Sequence, residues 1–517
     1  MTTREKAPYK ILFSNDTTNI LTCVSPYHQK GEPFREKMLK ATVDETSNTG
    51  VEVHMLQPGV GWIPWWKSKV YPADKHYRWF NAKTGLQPDS FGKYMLSGSD
   101  MVEVFVNRCR ELGLTPFISL RLNDGHHLEN VATKSPRAIW ASRFYQEHPE
   151  YRIGTDINNW DQHVHNWAIP QVRRHKFAFI EEICSNYDID GFELDFMRHP
   201  SYFQLDKTSS EQRVKIMTDF VSQVRELLNQ TAKSTHRRWL CVRVPCYIVA
   251  HDPLGIDLKM MVDAGVDMIN LSASYFTEQQ TDLSAIRKKV PDAAVYLEMT
   301  HCTAMGVKLT ESGGDKFTFR RTTDEQFYTA AHLAYARSAD GISAFNFVYY
   351  REHGTPGRGP FKEPPFHLFN HLEKPVCLAH QPQHYFLAKG WHSPLLPNRP
   401  IPQQISLGQS AIFKLDMAPP EHGWQVNGRL RIQCSKSLNE SQWMARFNGV
   451  DLQPSSDFSE PYSNPYPPLL GKAEELRAWN VPIDLMKDGI NKVEIRMMTG
   501  EPAEIIFLDL AVESERI

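Results

Sequence analysis

Two carboxylates spaced two residues apart, Glu193 and Asp195, carry the clearest chemical signal in the sequence. They lie in residues 190–200, which read Asp-Gly-Phe-Glu-Leu-Asp-Phe-Met-Arg-His-Pro. Apolar residues alternate with the two acids, and this period of two predicts a strand whose acids share one face, about 6.6 Å apart. Because buried acids are costly without partners, the pair is either an ion-paired feature of the core or a catalytic or sugar-binding pair.

A third acid, Glu298, stands near the end of another predicted strand and has apolar neighbours in the sequence. Glycoside hydrolysis generally uses two carboxyl groups across the scissile bond. We expect Asp195, close to Arg198, to be the ionised nucleophile or electrostatic stabiliser, and Glu298 to be the proton donor, with Glu193 orienting Asp195. The roles can be exchanged, and Glu193 can itself be the acid. Structural ion pairing is the alternative for each of the three.

Other polar and aromatic residues near predicted strand ends are candidates for binding a sugar. Arg121, Arg198 and Arg243 suit the carboxylate or sulfate group of an anionic sugar, or else pair with the acids of the barrel. Trp65 and Trp66 can stack on sugar faces, or pack as a loop against the protein. The remaining members of this set are Asn123, Asp124, His126, Asn270 and Asn346.

A cluster formed by Asp124, His126 and His127 raises a different class of function, a metal-dependent hydrolase. Two adjacent histidines of one loop rarely bind the same ion well. We therefore expect no metal and no cofactor.

Predicted strands and helices alternate over about 340 residues, which is the pattern of a (β/α)8 TIM barrel of the α/β class. Polar residues gather at the carboxyl ends of the strands, where barrel enzymes build their active sites. The predicted strands are residues 10–14, 51–56, 115–121, 190–200, 239–245, 267–273, 294–299 and 341–348. The predicted helices are residues 32–47, 99–112, 169–187, 210–230, 257–264, 283–290 and 324–338.

Beyond residue 350 the pattern changes to Gly- and Pro-rich loops and then to short alternating strands. These strands, 410–415, 430–434, 443–447, 481–485, 491–498 and 505–512, predict a C-terminal antiparallel β-sandwich. We therefore expect a catalytic barrel at residues 1–375, a linker at 376–402 and an accessory β-sandwich at 403–517.

Composition limits the range of partners. The net charge of −2 favours neither nucleic acid nor an anionic membrane surface as a partner. There is no apolar run of membrane-spanning length and no apolar signal region at the N-terminus, which predicts a cytoplasmic protein, or an exported one if a leader has been removed. The 8 Cys are scattered and predict reduced thiols. The oligomeric state stays open.

Residues 190–200 resemble the fourth-strand signature Asp-Gly-x-x-Leu-Asp-Tyr-x-Arg-x-Pro of the glycosyl-hydrolase-like TIM barrels called family-10-like. Gly-Ile-Asp-Leu at residues 255–258, with Val262, Gly265 and the Val-Asp pair that follows, resembles the same family's helix after the fifth strand. The resemblance spans residues 8–350, but Glu193 departs from the pattern of many relatives. The core of the motif is also similar to a chitinase strand, whose terminal Glu is replaced here by Met197.

The resemblance implies a carbohydrate-active enzyme. Acids at the ends of strands four and seven resemble the placement in the retaining barrel glycosidases. We expect a glycoside hydrolase that cleaves an oligosaccharide or polysaccharide, neutral or anionic, with a retaining mechanism favoured over inversion. The alternatives are a barrel that binds glycan without turnover and the metal-dependent hydrolase. A carbohydrate is the expected partner in the first two.

Overall fold

The first part of the chain is a closed barrel of eight parallel strands. The computed structural model describes residues 5–16, 32–126, 128–156, 159–233, 237–305, 319–350, 363–390, 399–464 and 471–513. Each barrel strand pairs with the next one along the chain, and the eighth pairs with the first. The barrel strands are β1 (Ile11–Ser14), β2 (Val53–Leu56), β3 (Thr115–Arg121), β4 (Gly191–Asp195), β5 (Trp239–Pro245), β6 (Met268–Ser272), β7 (Ala294–Thr300) and β8 (Gly341–Phe345).

Helices connect the barrel strands and pack around them. The longest, α8, begins with a capping box in which Ser209 and Gln212 each bind the other's backbone N–H, which fixes its first turn. The helices are α1 (Glu36–Asp44), α2 (Ala73–Thr84), α3 (Ser90–Leu96), α4 (Met101–Glu111), α5 (Leu128–Ala132), α6 (Arg143–Glu147), α7 (Pro170–Asn186), α8 (Ser210–Thr231), α9 (Leu258–Asp263), α10 (Leu283–Lys289), α11 (Asp324–Ala336), α12 (Phe369–Leu372) and α13 (Pro375–Leu378). None of the helices in the described part of the chain has the length and apolar character that a bilayer crossing requires.

Two short hairpins lie in loops at the carboxyl ends of barrel strands. The first pairs Gly59–Val60 with Ile63–Pro64 after β2, and the second pairs Cys302–Met305 with Phe319–Arg321 after β7. Single turns of 3-10 helix, such as Phe347–Tyr350 after β8, occupy other loops on the same side. Within the described residues, several loops at the carboxyl face of the barrel are therefore hydrogen-bonded segments.

The second part of the chain is an antiparallel β-sandwich. One sheet has the order β9–β18–β12–β16–β15, with β10 also paired to β18, and the other has the order β11–β17–β13–β14. The strands are β9 (Gln383–Ala388), β10 (Gln403–Ile405), β11 (Ser410–Met417), β12 (Gly428–Cys434), β13 (Gln442–Phe447), β14 (Val450–Asp451), β15 (Gln453–Ser455), β16 (Leu476–Val481), β17 (Gly489–Thr499) and β18 (Ala503–Val512). Inward positions alternate with outward ones, as in the pattern of β11, so the two sheets share one apolar core.

The structure confirms the predicted fold class, a TIM barrel followed by an antiparallel sandwich. Some predicted strand bounds are wrong, among them that of the strand at 341–348, which ends at Phe345. The strand predicted at 190–200 ends at Asp195, and residues 481–485 are mostly a 3-10 turn because the strand precedes them. Gln383–Ala388, for which no strand was predicted, forms an edge strand that pairs with Ala503–Val512. The division into residues 1–375, 376–402 and 403–517 stays a prediction.

A buried charge network ties β9, β12 and β18 together. Arg431 Nε donates to Asp509 Oδ1 at 3.0 Å, and His384 Nε2 lies 2.8 Å from the other carboxylate oxygen. Burial alone would raise the pKa of Asp509, but Arg431 and His384 outweigh it and hold the pKa well below its usual range. The sandwich therefore has a buried carboxylate whose partners come from two neighbouring strands.

Replacing Asp509 with Asn should destabilise the sandwich strongly, because the buried Arg431 would lose its close counter-charge and keep only the longer contact with Glu460, 3.6 Å. We expect a loss of about 3–5 kcal/mol in the free energy of unfolding, read from denaturant melts that follow the sandwich transition. The matched control is Asp457→Asn, which removes an exposed partner of Arg429 on the same strand as Arg431 and should cost no more than about 1 kcal/mol. Equal effects of the two substitutions would contradict the structural role of the network.

Candidate active site

The interior of the barrel changes character along its axis. Its amino-terminal half is filled by apolar side chains, including Leu12, Met55, Phe117 and Met268. Toward the carboxyl ends of the strands, the inward positions become polar and charged. Successive inward positions on one strand are two residues apart, so Glu193 and Asp195 stand one above the other in this polar half, as the alternation in the sequence predicted.

Arg243 on β5 links the two acids that were predicted to share a rim. Its Nε donates to Glu298 Oε2 at 2.6 Å and its Nη2 to Oε1 at 2.7 Å, which is a bidentate pair. Its Nη1 lies 3.1 and 3.2 Å from the two oxygens of Asp195, the residue opposite Arg243 in the β4–β5 pairing. Asp195 and Glu298 therefore sit at the same end of the barrel, on one guanidinium group.

The surroundings of Glu298 differ from those predicted. Besides the two bonds from Arg243, this carboxylate accepts a hydrogen bond from Ser272 Oγ at 2.6 Å, and Asn270 Nδ2 lies 3.4 Å away. The apolar neighbours of Glu298 in the sequence do not surround its carboxylate, because Leu297 and Met299 point out of the barrel while Glu298 points in. The expected apolar pocket for a proton donor is thus wrong for Glu298.

Glu193 is the acid with the raised pKa. It lies one pleat deeper than Asp195, fully buried, where its oxygens accept hydrogen bonds from Ser119 Oγ at 2.6 Å and Asn270 Nδ2 at 3.1 Å. Burial, helped by the negative charge of Asp195, raises the pKa of Glu193 to about 7. Asn270, predicted to bind sugar, instead bridges Glu193 and Glu298.

A second layer of charge lies above the first, at the ends of β1 and β3. Arg121 donates to Asp16 through Nη2 and to Asp124 through Nη1, the latter at 3.2 Å. Asn346 brackets Asp16: its Oδ1 accepts the Asp16 backbone N–H at 2.7 Å, and its Nδ2 donates to the carboxylate at 3.1 Å. Asp16 was missed in the sequence, although it directly follows a strand end, the signal used for the other residues.

His126 and Arg198 complete the second layer. Asp124 Oδ1 lies 2.6 Å from His126 Nδ1, and Arg198 Nη2 donates to His126 Nε2. Burial and the nearby Arg198 lower the pKa of His126 to about 4, so the imidazole is neutral at physiological pH. Burial would raise the pKa of Asp16, but Arg198 and Arg121 outweigh it and keep the pKa well below its usual range.

Within the part of the chain that the structure describes, Asp124, His126 and His199 form the group that could hold a metal ion. Their ligand atoms lie within 4.8 Å of one another. Both nitrogens of His126 already face hydrogen-bonding partners, and the guanidinium of Arg121 reaches Asp124, so positive charge stands where an ion would bind. This arrangement favours a hydrogen-bonded network over a metal centre. His127, named in the metal hypothesis, lies outside the described residues.

The structure corrects the prediction that Trp65 and Trp66 line a substrate cleft. Trp65 is buried against Phe91, with ring centroids 4.3 Å apart. Trp66 donates its indole N–H to Glu182 on α7 at 2.8 Å. Both rings pack in the layer outside the barrel strands, because the loop after β2 folds back between the surrounding helices. Asn123 also braces loops, since its side chain binds backbone groups of His165 and Ser201.

Aromatic residues that the sequence did not single out line the other side of the second layer. The rings of Tyr275, His301 and Tyr349 follow β6, β7 and β8 and contact one another, with centroids 5.0–5.9 Å apart. The guanidinium of Arg198 lies 6.0 Å from the Tyr275 ring. These residues follow strand ends in the sequence, and that position could have identified them as candidates.

Backbone strain gathers on the same face of the barrel. Four residues other than glycine have positive φ in loops that follow β2, β4, β6 and β8: Trp62 (φ 64°), His199 (φ 52°), Ser274 (φ 63°) and Asn346 (φ 60°). Such conformations cost free energy and concentrate at functional sites, where surrounding contacts hold them. This observation points to the carboxyl face independently of the charges.

Replacing Trp65 with Ala tests the packing role. Removal of a buried indole should lower the free energy of unfolding by about 3–5 kcal/mol, while KM for any substrate stays within about twofold, because the ring is remote from the acids. Thermal melts and steady-state kinetics on the same preparation give both values. A raised KM with unchanged stability would restore the prediction that Trp65 binds sugar.

Replacing Glu193 with Gln tests its raised pKa. In the wild type, the folded state keeps its proton to about pH 7 whereas an unfolded Glu loses it near pH 4.5, so stability falls as pH rises through this window. Gln mimics the protonated carboxyl group. The variant therefore keeps the free energy of unfolding, about 3 kcal/mol, that the wild type loses over this pH window. The melting temperature of Glu193→Gln minus that of the wild type should therefore increase from pH 5 to pH 8.

The exposed substitution Glu147→Gln on α6 is the matched control for the Glu-to-Gln exchange, and its difference from the wild type should not follow this trend. A Glu193→Gln difference that stays constant or falls with pH would contradict the raised pKa.

A scan against protein-family models and a search of curated proteins found no match for this chain. Solved structures that resemble it include a cycloisomaltooligosaccharide glucanotransferase from Paenibacillus sp. (TM-score 0.33, 10% identity, 96% of this chain and 57% of that one). Another is an alpha-L-fucosidase from Paenibacillus thiaminolyticus (TM-score 0.36, 12% identity, 94% and 96%). A third is a bacterial fucosidase crystallised with an inhibitor (TM-score 0.38, 10% identity, 96% and 93%).

These structural neighbours are carbohydrate-active enzymes, and this chain spans little more than half of the glucanotransferase. Likeness at this level concerns the fold alone and decides no activity. The family-10-like resemblance stays a prediction, and function has to be argued from the site.

Proposed function

We propose that the protein is a glycoside hydrolase whose reacting carboxylate is Asp195. The observation that carries this proposal is the position of Asp195 and Glu298 at the carboxyl ends of β4 and β7, joined by Arg243. Active sites of TIM-barrel enzymes form on this face. Loops with positive φ at residues other than glycine occupy the same face.

The chemistry assigns different tasks to the three acids. Asp195 lies nearest the strand end and is held by Arg243 and by the backbone N–H of Met197 at 2.8 Å, contacts that stabilise an ionised nucleophile. Glu298 grips the other edge of the guanidinium and so fixes its direction toward Asp195. Glu193 supports both from below through Asn270. Glu298 is thus a positioning residue. Glu193, whose raised pKa of about 7 keeps its proton near neutral pH, is the group that protonates the leaving-group oxygen in the retaining reaction that we favour.

A barrel that binds glycan without turnover is the second candidate, and burial favours it. Asp195 and Glu298 are no more than 1% exposed, whereas the side chains of His126 and Arg198 above them are 18% and 19% exposed. A ligand would then contact the second layer and leave the acids as a structural ion cluster.

Substitution of Asp195 by Asn separates the two candidates. On a panel of aryl glycosides and polysaccharides, the hydrolase predicts that Asp195→Asn lowers kcat by about a thousandfold or more and keeps ligand affinity. Asp206→Asn, on an exposed loop beyond the same strand, is the matched control and should keep full activity. Thermal melts of each variant report whether the fold is intact.

Two results would contradict the hydrolase. One is an Asp195→Asn variant that turns over substrate at the wild-type rate. The other is a wild-type protein that binds members of the panel but releases no product from any of them, which would establish the binding barrel instead.

A further inference from the structure

Among the described residues of the second layer, Arg198 has the most exposed charged side chain. It lies in the turn that follows β4, three residues after Asp195. Its side chain is 19% exposed and that of His126 is 18% exposed, whereas Asp16 beneath them is 1% exposed. A molecule that enters the second layer therefore meets guanidinium N–H groups before it meets a carboxylate.

The guanidinium is held in place by an imidazole. Arg198 Nη2 donates to His126 Nε2, and His126 is itself fixed by Asp124 through Nδ1 at 2.6 Å. The imidazole therefore orients Arg198 as a hydrogen-bond acceptor. Asp16 is the nearest carboxylate, but its contact with Arg198 is long, 3.6 Å, because Arg121 and Asn346 take its hydrogen bonds.

Arg198 also has unused donor capacity. A guanidinium carries five N–H donors, and the Nε of Arg198 is buried with no hydrogen-bond partner in the described part of the chain. Buried donors without partners are costly, which points to a partner that arrives with a ligand. The ring of Tyr275, 6.0 Å from the guanidinium, forms a wall beside it.

We propose that Arg198 binds an anionic substituent, a carboxylate or a sulfate ester, on the sugar that occupies this site. This inference rests on the proposed function for the ligand being a sugar. A preoriented guanidinium fork matches the paired oxygens of either anion, and such bonds are strong where water is scarce. The substrate class that follows is an acidic glycan, built from uronic acids or from sulfated sugars.

Equilibrium binding to the full chain tests the proposal. The probes are glucuronate, galacturonate and glucose 6-sulfate, each compared with the neutral glucose or galactose, by calorimetry or ligand-observed NMR. We expect at least one acidic probe to bind about tenfold or more tightly than its neutral counterpart. Preference for the uronates identifies a carboxylate as the anion, and preference for the 6-sulfate identifies a sulfate ester.

Variants of Arg198 show whether the preference comes from this residue. Arg198→Gln should abolish the preference, so that an acidic probe binds no more tightly than its neutral counterpart. Arg198→Lys, which keeps the charge but loses the fork, should retain part of the preference. Arg143→Gln, at an exposed position, is the control and should keep the full preference. Equal binding of acidic and neutral probes, no binding of any acidic probe, or an equal loss of both in Arg198→Gln would overturn the proposal.

Binding requires no turnover, so the same titrations can be made with the Asp195→Asn variant. They test the role of Arg198 separately from the proposal that the protein is a hydrolase. If the Asp195→Asn protein, with Arg198 intact, bound acidic and neutral probes equally, the role of Arg198 would be overturned. Unimpaired turnover in Asp195→Asn would overturn the hydrolase while leaving the binding result in place.

Discussion

Charge buried inside a closed sheet is the constraint on which the site depends. Asp195 and Glu298 lie within the barrel, where an uncompensated ion costs several kcal/mol. Arg243 is the cation that both acids share, because the parallel register of the strands sets its guanidinium between them and beside Ser272. Removing Arg243 would leave two buried carboxylates without their shared counter-charge, so the strands that carry them are coupled through this cluster.

The same principle is repeated one layer higher. Arg121 pairs with both Asp16 and Asp124, as Arg243 pairs with both deeper carboxylates. Asn346, directly after β8, also donates a hydrogen bond to Asp16. Side chains locked in this way lose little freedom when a ligand binds, which is the preorganisation that electrostatic catalysis and specific recognition require. Arg198 differs from these residues. His126 orients its guanidinium, but its buried Nε has no hydrogen-bond partner in the described part of the chain.

Local periodicity was sufficient to predict the barrel, the sandwich and the stacking of Glu193 and Asp195. The sequence alone could not predict which side chains contact one another across the barrel. The polar surroundings of Glu298 come from Arg243 and Ser272, on strands far away in the chain, and the neighbours of Glu298 in sequence face the opposite side. Trp65 and its loop fold back under helices, and no local pattern distinguishes that from a loop facing a cleft. The strand-end rule would have found Asp16.

The most direct test of the account is covalent trapping of the reacting carboxylate. The wild-type chain is incubated with a panel of 2-deoxy-2-fluoroglycosyl fluorides, and its mass and peptide map are recorded. The account predicts the addition of one fluorosugar on the peptide that contains Asp195, because a retaining reaction passes through a glycosyl-enzyme. Modification of a different carboxylate, or no modification by the probe whose parent sugar is hydrolysed, would contradict it.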